Sequence, residues 1–168
     1  MTKVLFICRA NICRSPTAHV IFEQQLARNG LQHEIEVYSA GTHAPYPGRV
    51  PDKRAQSVAR ANGYDMSGMN ATQLTSEMAS ECDYLIVMDN HNLHDASEIL
   101  EEVDASRIRL LLSFSDAEDV QLRDPFFSGS GGGHGYIPDP VDSGERAFFA
   151  ILKKIEIACE SLLEEIRH

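Results

Sequence analysis

The chain has 168 residues, a formal net charge of −10, 43% hydrophobic and 24% charged residues. That balance suits a single soluble globular domain with one sizeable core, and it disfavours nucleic acid and anionic membrane as partners. No apolar run approaches the ~20 residues of a membrane helix, and the first residues lack a signal-peptide pattern. The four cysteines show no paired Cys-x-x-Cys spacing for zinc, so a reducing, cytoplasmic setting is expected.

Val4-Leu5-Phe6-Ile7 is a short apolar run suited to a buried strand. It feeds Cys8-Arg9-Ala10-Asn11-Ile12-Cys13-Arg14-Ser15-Pro16, in which Ser15 reads as an N-cap and Pro16 as the first helical residue. The helix should run to about Arg28, with Ala18, Ile21, Phe22 and Leu26 on one face and Asn29-Gly30 as its stop. Ile35 to Tyr38 alternates apolar and polar residues and predicts a second strand entering Ser39-Ala40-Gly41-Thr42. His43 to Pro51 is loop, Asp52 to Asn62 is a helix closed by Gly63, and a short helix is expected over Ser76 to Glu81. Tyr84 to Met88 predicts a third strand ending at Asp89-Asn90, followed by a helix from His91 to Glu102 and a last strand from Ile108 to Phe114. Ser128 to Gly135 is a glycine-rich patch, expected to be flexible, with no strand-turn-helix context for a nucleotide loop. Ser143 to Ile166 is a long amphipathic helix, and Cys159 lies on its apolar stripe. Strands alternating with helices imply a parallel sheet whose ligands bind beyond the strands' carboxyl ends. Cys8, Ser39 and Asp89 all fall there.

The chemistry follows from the opening loop. A thiol at a strand's end, separated by five residues from an arginine and leading into a helix N-terminus, sits in positive potential. Inward-facing N–H groups and the planar fork of Arg14 suit the equatorial oxygens of a phosphate. Those surroundings favour the Cys8 thiolate as a nucleophile, and they stabilise the charge of a transferring phosphoryl group without calling for a metal or cofactor. The Ser15 hydroxyl either donates to the thiolate or caps the helix, and the two roles are compatible. Asn11 tolerates the left-handed backbone that a nest of N–H groups needs.

The segment resembles the phosphate-binding loop of the low-molecular-weight protein tyrosine phosphatases, usually Cys-x-Gly-Asn-Ile-Cys-Arg-Ser-Pro. Cys8, Asn11, Ile12, Cys13, Arg14, Ser15 and Pro16 match, Arg9 fills the variable place, and Ala10 replaces a glycine. The resemblance extends over nearly the whole chain. It implies one α/β domain over residues 1–168, a three-layer sandwich with a four-stranded parallel sheet in order 2-1-3-4. It implies hydrolysis of phosphotyrosine in proteins through a phosphocysteine intermediate, with phosphotyrosine proteins, a bacterial tyrosine kinase among them, as partners. The family's acid is the aspartate of an Asp-Pro pair, and two pairs are present, Asp124-Pro125 and Asp139-Pro140. Asp139 is expected to be the general acid, because its distance to Phe148 matches the family's spacing to the last helix. Asp124 is expected to lie too far upstream, with residues of about 126–135 as an insertion. Ser39 and Asp89 are expected to brace the loop, although each could be an ordinary turn or cap residue. Cys13 is either a plain loop residue or a redox partner that shields Cys8 by a disulfide.

The departures concern the substrate rim. Val141 follows Asp139-Pro140 where an aromatic is usual, Pro45 stands in the place of another aromatic with Tyr46 adjacent, and Met69-Asn70 replaces a common His-Arg pair. Tyr46 and Arg9 are the candidate rim contacts. Three rivals remain. Arsenate reduction would need two relay cysteines, for which only Cys82 and Cys159 are left. Phosphoarginine hydrolysis goes with Thr where this chain has Ile12. A phosphate-binding module with weak catalysis is suggested by Ala10 alone.

Overall fold

The computed structural model describes residues 1–125 and 143–168. Four strands form one parallel sheet in the order β2-β1-β3-β4: β1 (Thr2–Cys8), β2 (Ile35–Gly41), β3 (Tyr84–Val87) and β4 (Ile108–Leu110). Among the described residues five α-helices accompany them: α1 (Arg14–Arg28), α2 (Lys53–Ala61), α3 (Ser76–Ser80), α4 (Asn90–Ile99) and α5 (Ser143–Arg167). The sheet order and parallel pairing are those implied by the sequence.

The strand period of two sorts β1 into the two core layers. Val4, Phe6 and Cys8 face α1, α2 and α5, whereas Leu5 and Ile7 face α3 and α4. Phe6 meets Phe22 of α1 edge to face, with ring centroids 5.6 Å apart. Burying side chains of this kind stabilises the layer by about 1.5–3 kcal/mol each. The apolar stripe of α5 seals the same layer: Phe148, Ile151, Leu152, Ile155, Cys159 and Leu162 are all buried.

Two expected boundaries change. The last strand stops at Leu110, and Leu111–Phe114 is a 3-10 turn rather than a continued strand. Consecutive Leu111 and Leu112 are both buried in the α1/α5 layer, which a strand with alternating faces cannot achieve. Helix α4 starts one residue early, at Asn90, because Asp89 caps it, and it ends at Ile99 rather than Glu102, where Val103 N–H donates to the Leu100 carbonyl at 2.8 Å.

Registry fixes the position of the site. Cys8 pairs with Gly41 and Ile7 with Val87, so β1, β2 and β3 end level with one another and their following loops meet.

Candidate active site

Four carbonyls of the loop from Cys8 to Arg14 are occupied by hydrogen bonds to the scaffold. Cys8 O accepts from Thr42 N at 2.9 Å, Arg9 O from His43 N at 2.8 Å, and Ile12 O from Asp52 N at 2.7 Å. Cys13 O accepts from both Thr17 N and Thr17 Oγ1, at 3.1 and 2.7 Å. With these four carbonyls tied to the scaffold, the loop has N–H groups to offer an anion, beside the N-terminus of α1.

Asn11 holds the reversal. Its φ of 56° is the one positive value at a non-glycine among the described residues. Its Oδ1 accepts from Thr72 N at 2.8 Å, and its Nδ2 donates to Ser15 Oγ at 2.8 Å and Ser39 Oγ at 3.1 Å. Ala10 does not adopt a left-handed conformation, so its departure from glycine carries no backbone strain. The position that does require glycine is Gly41, where a Cβ would lie 2.5 Å from Arg9 O and 3.0 Å from Asn11 N.

Ser15 does not cap the helix. Arg14 opens α1 with Cys13 in the cap position and no side-chain cap bond, which puts Ser15 and Pro16 inside the first turn. The Ser15 hydroxyl instead lies 3.0 Å from Cys8 Sγ, and both residues are buried. Because Asn11 Nδ2 donates to that hydroxyl, its own hydrogen is left to point elsewhere. The Ala40 carbonyl at 3.4 Å is the poorer acceptor, so the hydrogen goes to the sulfur once Cys8 is a thiolate. Asn11, Ser15 and Cys8 form one directed chain, with Ser39 steadying its start.

Arg14 is 2% exposed. Its Nη1 donates to Asp89 Oδ2 at 2.6 Å and to the Leu122 carbonyl at 2.9 Å, and its Nη2 donates to Asp124 Oδ2 at 3.0 Å. Burial opposes the guanidinium charge, but Asp124, Cys8 and Asp89 outweigh it and hold Arg14 above its usual range. Asp89 also accepts from Asn92 N at 2.8 Å as the cap of α4, so one carboxylate ties the third strand's end to the loop. Asp89 is therefore both the cap of α4 and a partner of Arg14.

Asp124 is the correction. Expected to be remote, it sits at the mouth of the loop, because Leu122 is buried and its N–H donates to the Met88 carbonyl at 2.8 Å. That anchor beside β3, together with Arg14 on the Leu122 carbonyl, delivers the residue two positions on to Nη2 of Arg14. Counting back from α5 ignored it. A sequence signal was present: Asp124-Pro125 is followed by Phe126-Phe127, the aromatic that Asp139-Pro140-Val141 lacks. Asp139, Val141, the glycine-rich patch and the insertion of about 126–135 lie outside the described residues.

A cleft of about 880 Å³ opens above the loop, lined by Arg9, Ala10, Ile12, Thr42, His43, Ala44, Pro45, Arg49, Asp52, Arg54, Gln73 and Asp124. Ile12, Ala44 and Pro45 make part of its wall apolar, as an aromatic ring requires. Tyr46, expected on the rim, is 65% exposed and stands beside Arg49 rather than in the lining. Sequence reasoning missed Arg49 itself. Burial pushes the Cys13 thiol well above the usual range, against the pull of Arg14. Cys82 packs on the opposite side of the sheet from Cys8, and Cys159 is sealed between α5 and the core. Neither position suits a disulfide relay to Cys8.

A buried cysteine at the end of a central parallel strand, with a hydroxyl beside its sulfur and an arginine backing the anion loop, is an arrangement suited to phosphoryl transfer. The chain belongs to the family of low-molecular-weight phosphotyrosine protein phosphatases, whose family model matches residues 3–168. It is 33% identical over 167 residues to the low-molecular-weight protein-tyrosine-phosphatase YfkJ of Bacillus subtilis, covering 99% of this chain and 97% of that protein. The human low-molecular-weight phosphotyrosine protein phosphatase is 34% identical over 127 residues, 74% of this chain and 80% of that one. The crystal structure of YfkJ superimposes with a TM-score of 0.83 at 31% identity, covering 99% of this chain and 95% of that one. A structure of the YwlE arginine phosphatase, at 18% identity and a TM-score of 0.80, shares the fold.

Proposed function

We propose that this chain hydrolyses phosphotyrosine in proteins, and small aryl phosphates, through a phosphocysteine on Cys8, with Asp124 as the general acid and base. The observation that carries the reading is the convergence on one loop of Cys8 Sγ, 3.0 Å from the Ser15 hydroxyl, and Arg14, bridged to Asp124 at 3.0 Å.

The phosphate enters the N–H nest, and its oxygens take over the outer edge of Arg14, displacing the Asp124 carboxylate, which then takes up from solvent the proton it gives to the leaving group. The Cys8 thiolate attacks phosphorus as the bond to the aryl oxygen breaks, and Asp124 protonates the departing phenolate. Water then attacks the phosphocysteine, Asp124 takes its proton, and inorganic phosphate leaves with the thiolate restored. Arg14 and the nest stabilise the spreading charge in both steps. The Ser15 hydroxyl stabilises the thiolate as attacker and as leaving group. Asp139 is the second candidate for the acid.

Ile12 in the cleft wall supports an aryl substrate over phosphoarginine. All four cysteines are unpaired, which supports a reducing compartment, the cytoplasm, and phosphotyrosine proteins there as substrates, with a bacterial tyrosine kinase as one candidate. Among the described residues no helix is long and apolar enough to cross a membrane.

The test is hydrolysis of an aryl phosphate, a phosphotyrosine peptide and a phosphoarginine peptide by wild type and Cys8→Ser, without added metal and with vanadate as inhibitor. Cys8→Ser should lose at least about 10³-fold in kcat, and the phosphotyrosine peptide should be the better of the two peptides. Turnover surviving in Cys8→Ser would overturn the mechanism.

A further inference from the structure

The cleft is more basic than the protein. In a chain of net charge −10, Arg9, His43, Arg49 and Arg54 all line it. Arg54 and His43 are held by close neighbours. Arg54 Nε and Nη2 donate to Asp52 at 3.2 and 3.4 Å, and its guanidinium lies 5.1 Å from the Phe148 ring centre. His43 Nδ1 is 3.1 Å from Thr42 Oγ1 and 3.6 Å from Asp95 Oδ2.

Arg49 is built differently. Its side chain is exposed, and among the described residues it makes no ion pair; its guanidinium rests 6.0 Å from the centre of the Tyr46 ring. Its backbone is fixed on both sides. Arg49 N donates to Tyr46 O at 3.1 Å, Gly48 N donates to Ala71 O at 2.8 Å, and Ala71 N donates to Arg49 O at 2.8 Å. Gly48 takes the left-handed turn, at φ 84°, that this arrangement needs. The result is an exposed guanidinium over an aromatic ring on the cleft wall. Such a fork binds carboxylates in two-point fashion, and the anchored loop lowers the entropy cost of ordering it.

We propose that Arg49, backed by Tyr46, is a specificity subsite that binds an acidic side chain flanking the phosphotyrosine of the protein substrate. It rests on the phosphotyrosine reading above. The long-range field of the protein repels acidic peptides, and Arg49 is the local contact that reverses this at the cleft.

The experiment measures kcat/KM for phosphotyrosine peptides whose residues on either side are Glu, Ala or Lys, with wild type, Arg49→Lys, Arg49→Ala and Arg49→Glu, at low and high salt. Wild type should prefer the best Glu peptide over its Lys counterpart by about fivefold at low salt, the size of one exposed ion pair, and less at high salt. The preference should reside in KM. Arg49→Lys should keep part of it, Arg49→Ala should abolish it, and Arg49→Glu should invert it. Equal Glu-to-Lys ratios in all four proteins would overturn the subsite. The Ala peptide separates the two failures: if wild type does not hydrolyse it, the phosphotyrosine reading fails, whereas hydrolysis without flank preference removes only the subsite.

Discussion

Replacing Asn11 by alanine should damage stability and turnover together, because one side chain both sets the loop's reversal and directs the Ser15 hydrogen. Asn11 is 1% exposed and makes three hydrogen bonds, to Thr72 N, Ser15 Oγ and Ser39 Oγ, at 2.8, 2.8 and 3.1 Å. Each contributes a net ~1 kcal/mol. An alanine at φ 56° adds roughly 1 kcal/mol of backbone strain beyond what asparagine tolerates. The expected loss is about 4 kcal/mol, or roughly 10 °C in melting temperature for a domain of this size. Asn11→Gly relieves the backbone component alone and should recover about 1 kcal/mol of that loss. Turnover should fall by one to two orders of magnitude, roughly the effect of a misplaced catalytic group, because nothing then fixes the Ser15 hydroxyl on the sulfur. Urea unfolding and steady-state hydrolysis of an aryl phosphate measure the two effects. An Asn11→Ala protein within about 1 kcal/mol of wild type and with undiminished kcat would refute the reasoning.

Two further outcomes follow from other contacts. Gly41→Ala forces a Cβ to within 2.5 Å of the Arg9 carbonyl, a backbone atom that cannot give way without moving the anion loop; the protein should lose about 1–3 kcal/mol and bind vanadate at least about tenfold less tightly, and unchanged vanadate inhibition would contradict the packing. Tyr64 is buried and donates to Glu156 Oε1 at 2.7 Å, and burial followed by that bond pushes its hydroxyl up to about 12. The fold therefore favours the protonated phenol: its contribution is complete below the ordinary tyrosine value of about 10 and is lost as pH rises through about 12. The stability difference between wild type and Tyr64→Phe, from urea unfolding between pH 8 and 12, should be level at first and shrink over the last two units. A difference that stays level to pH 12 would show that the phenol is not held in this way.

Much of the site was legible because it is local. The strand, loop and helix opening from Val4 to Pro16 are contiguous, and the left-handed preference of Asn11 needs no partner to be recognised. Ser39 and Asp89 could be placed near Cys8 from topology alone, since parallel strands carry their following residues to one edge. What was not legible depends on long-range contacts. Ser15 looks like an N-cap in sequence, but its hydroxyl has a stronger claim on it from Asn11 and Cys8, so the cap moves back to Cys13. Leu111 and Leu112 read as strand until both are required in the same core layer. Asp124 was misplaced because its position is set by Leu122 docking on Met88, two residues without any motif. Arg49 was missed because an exposed arginine in a proline-rich loop looks ordinary until the Ala71 backbone pins it beside the cleft.

The assignment of Asp124 as the acid is tested most directly by Asp124→Asn and Asp139→Asn on aryl phosphates spanning good and poor leaving groups. Asp124→Asn should lose about 10²–10³-fold in kcat on a poor leaving group and much less on one that departs without a proton, whereas Asp139→Asn should follow wild type across the series. A steep leaving-group dependence in Asp139→Asn, with Asp124→Asn retaining its rate, would contradict the site described by the Arg14–Asp124 contact.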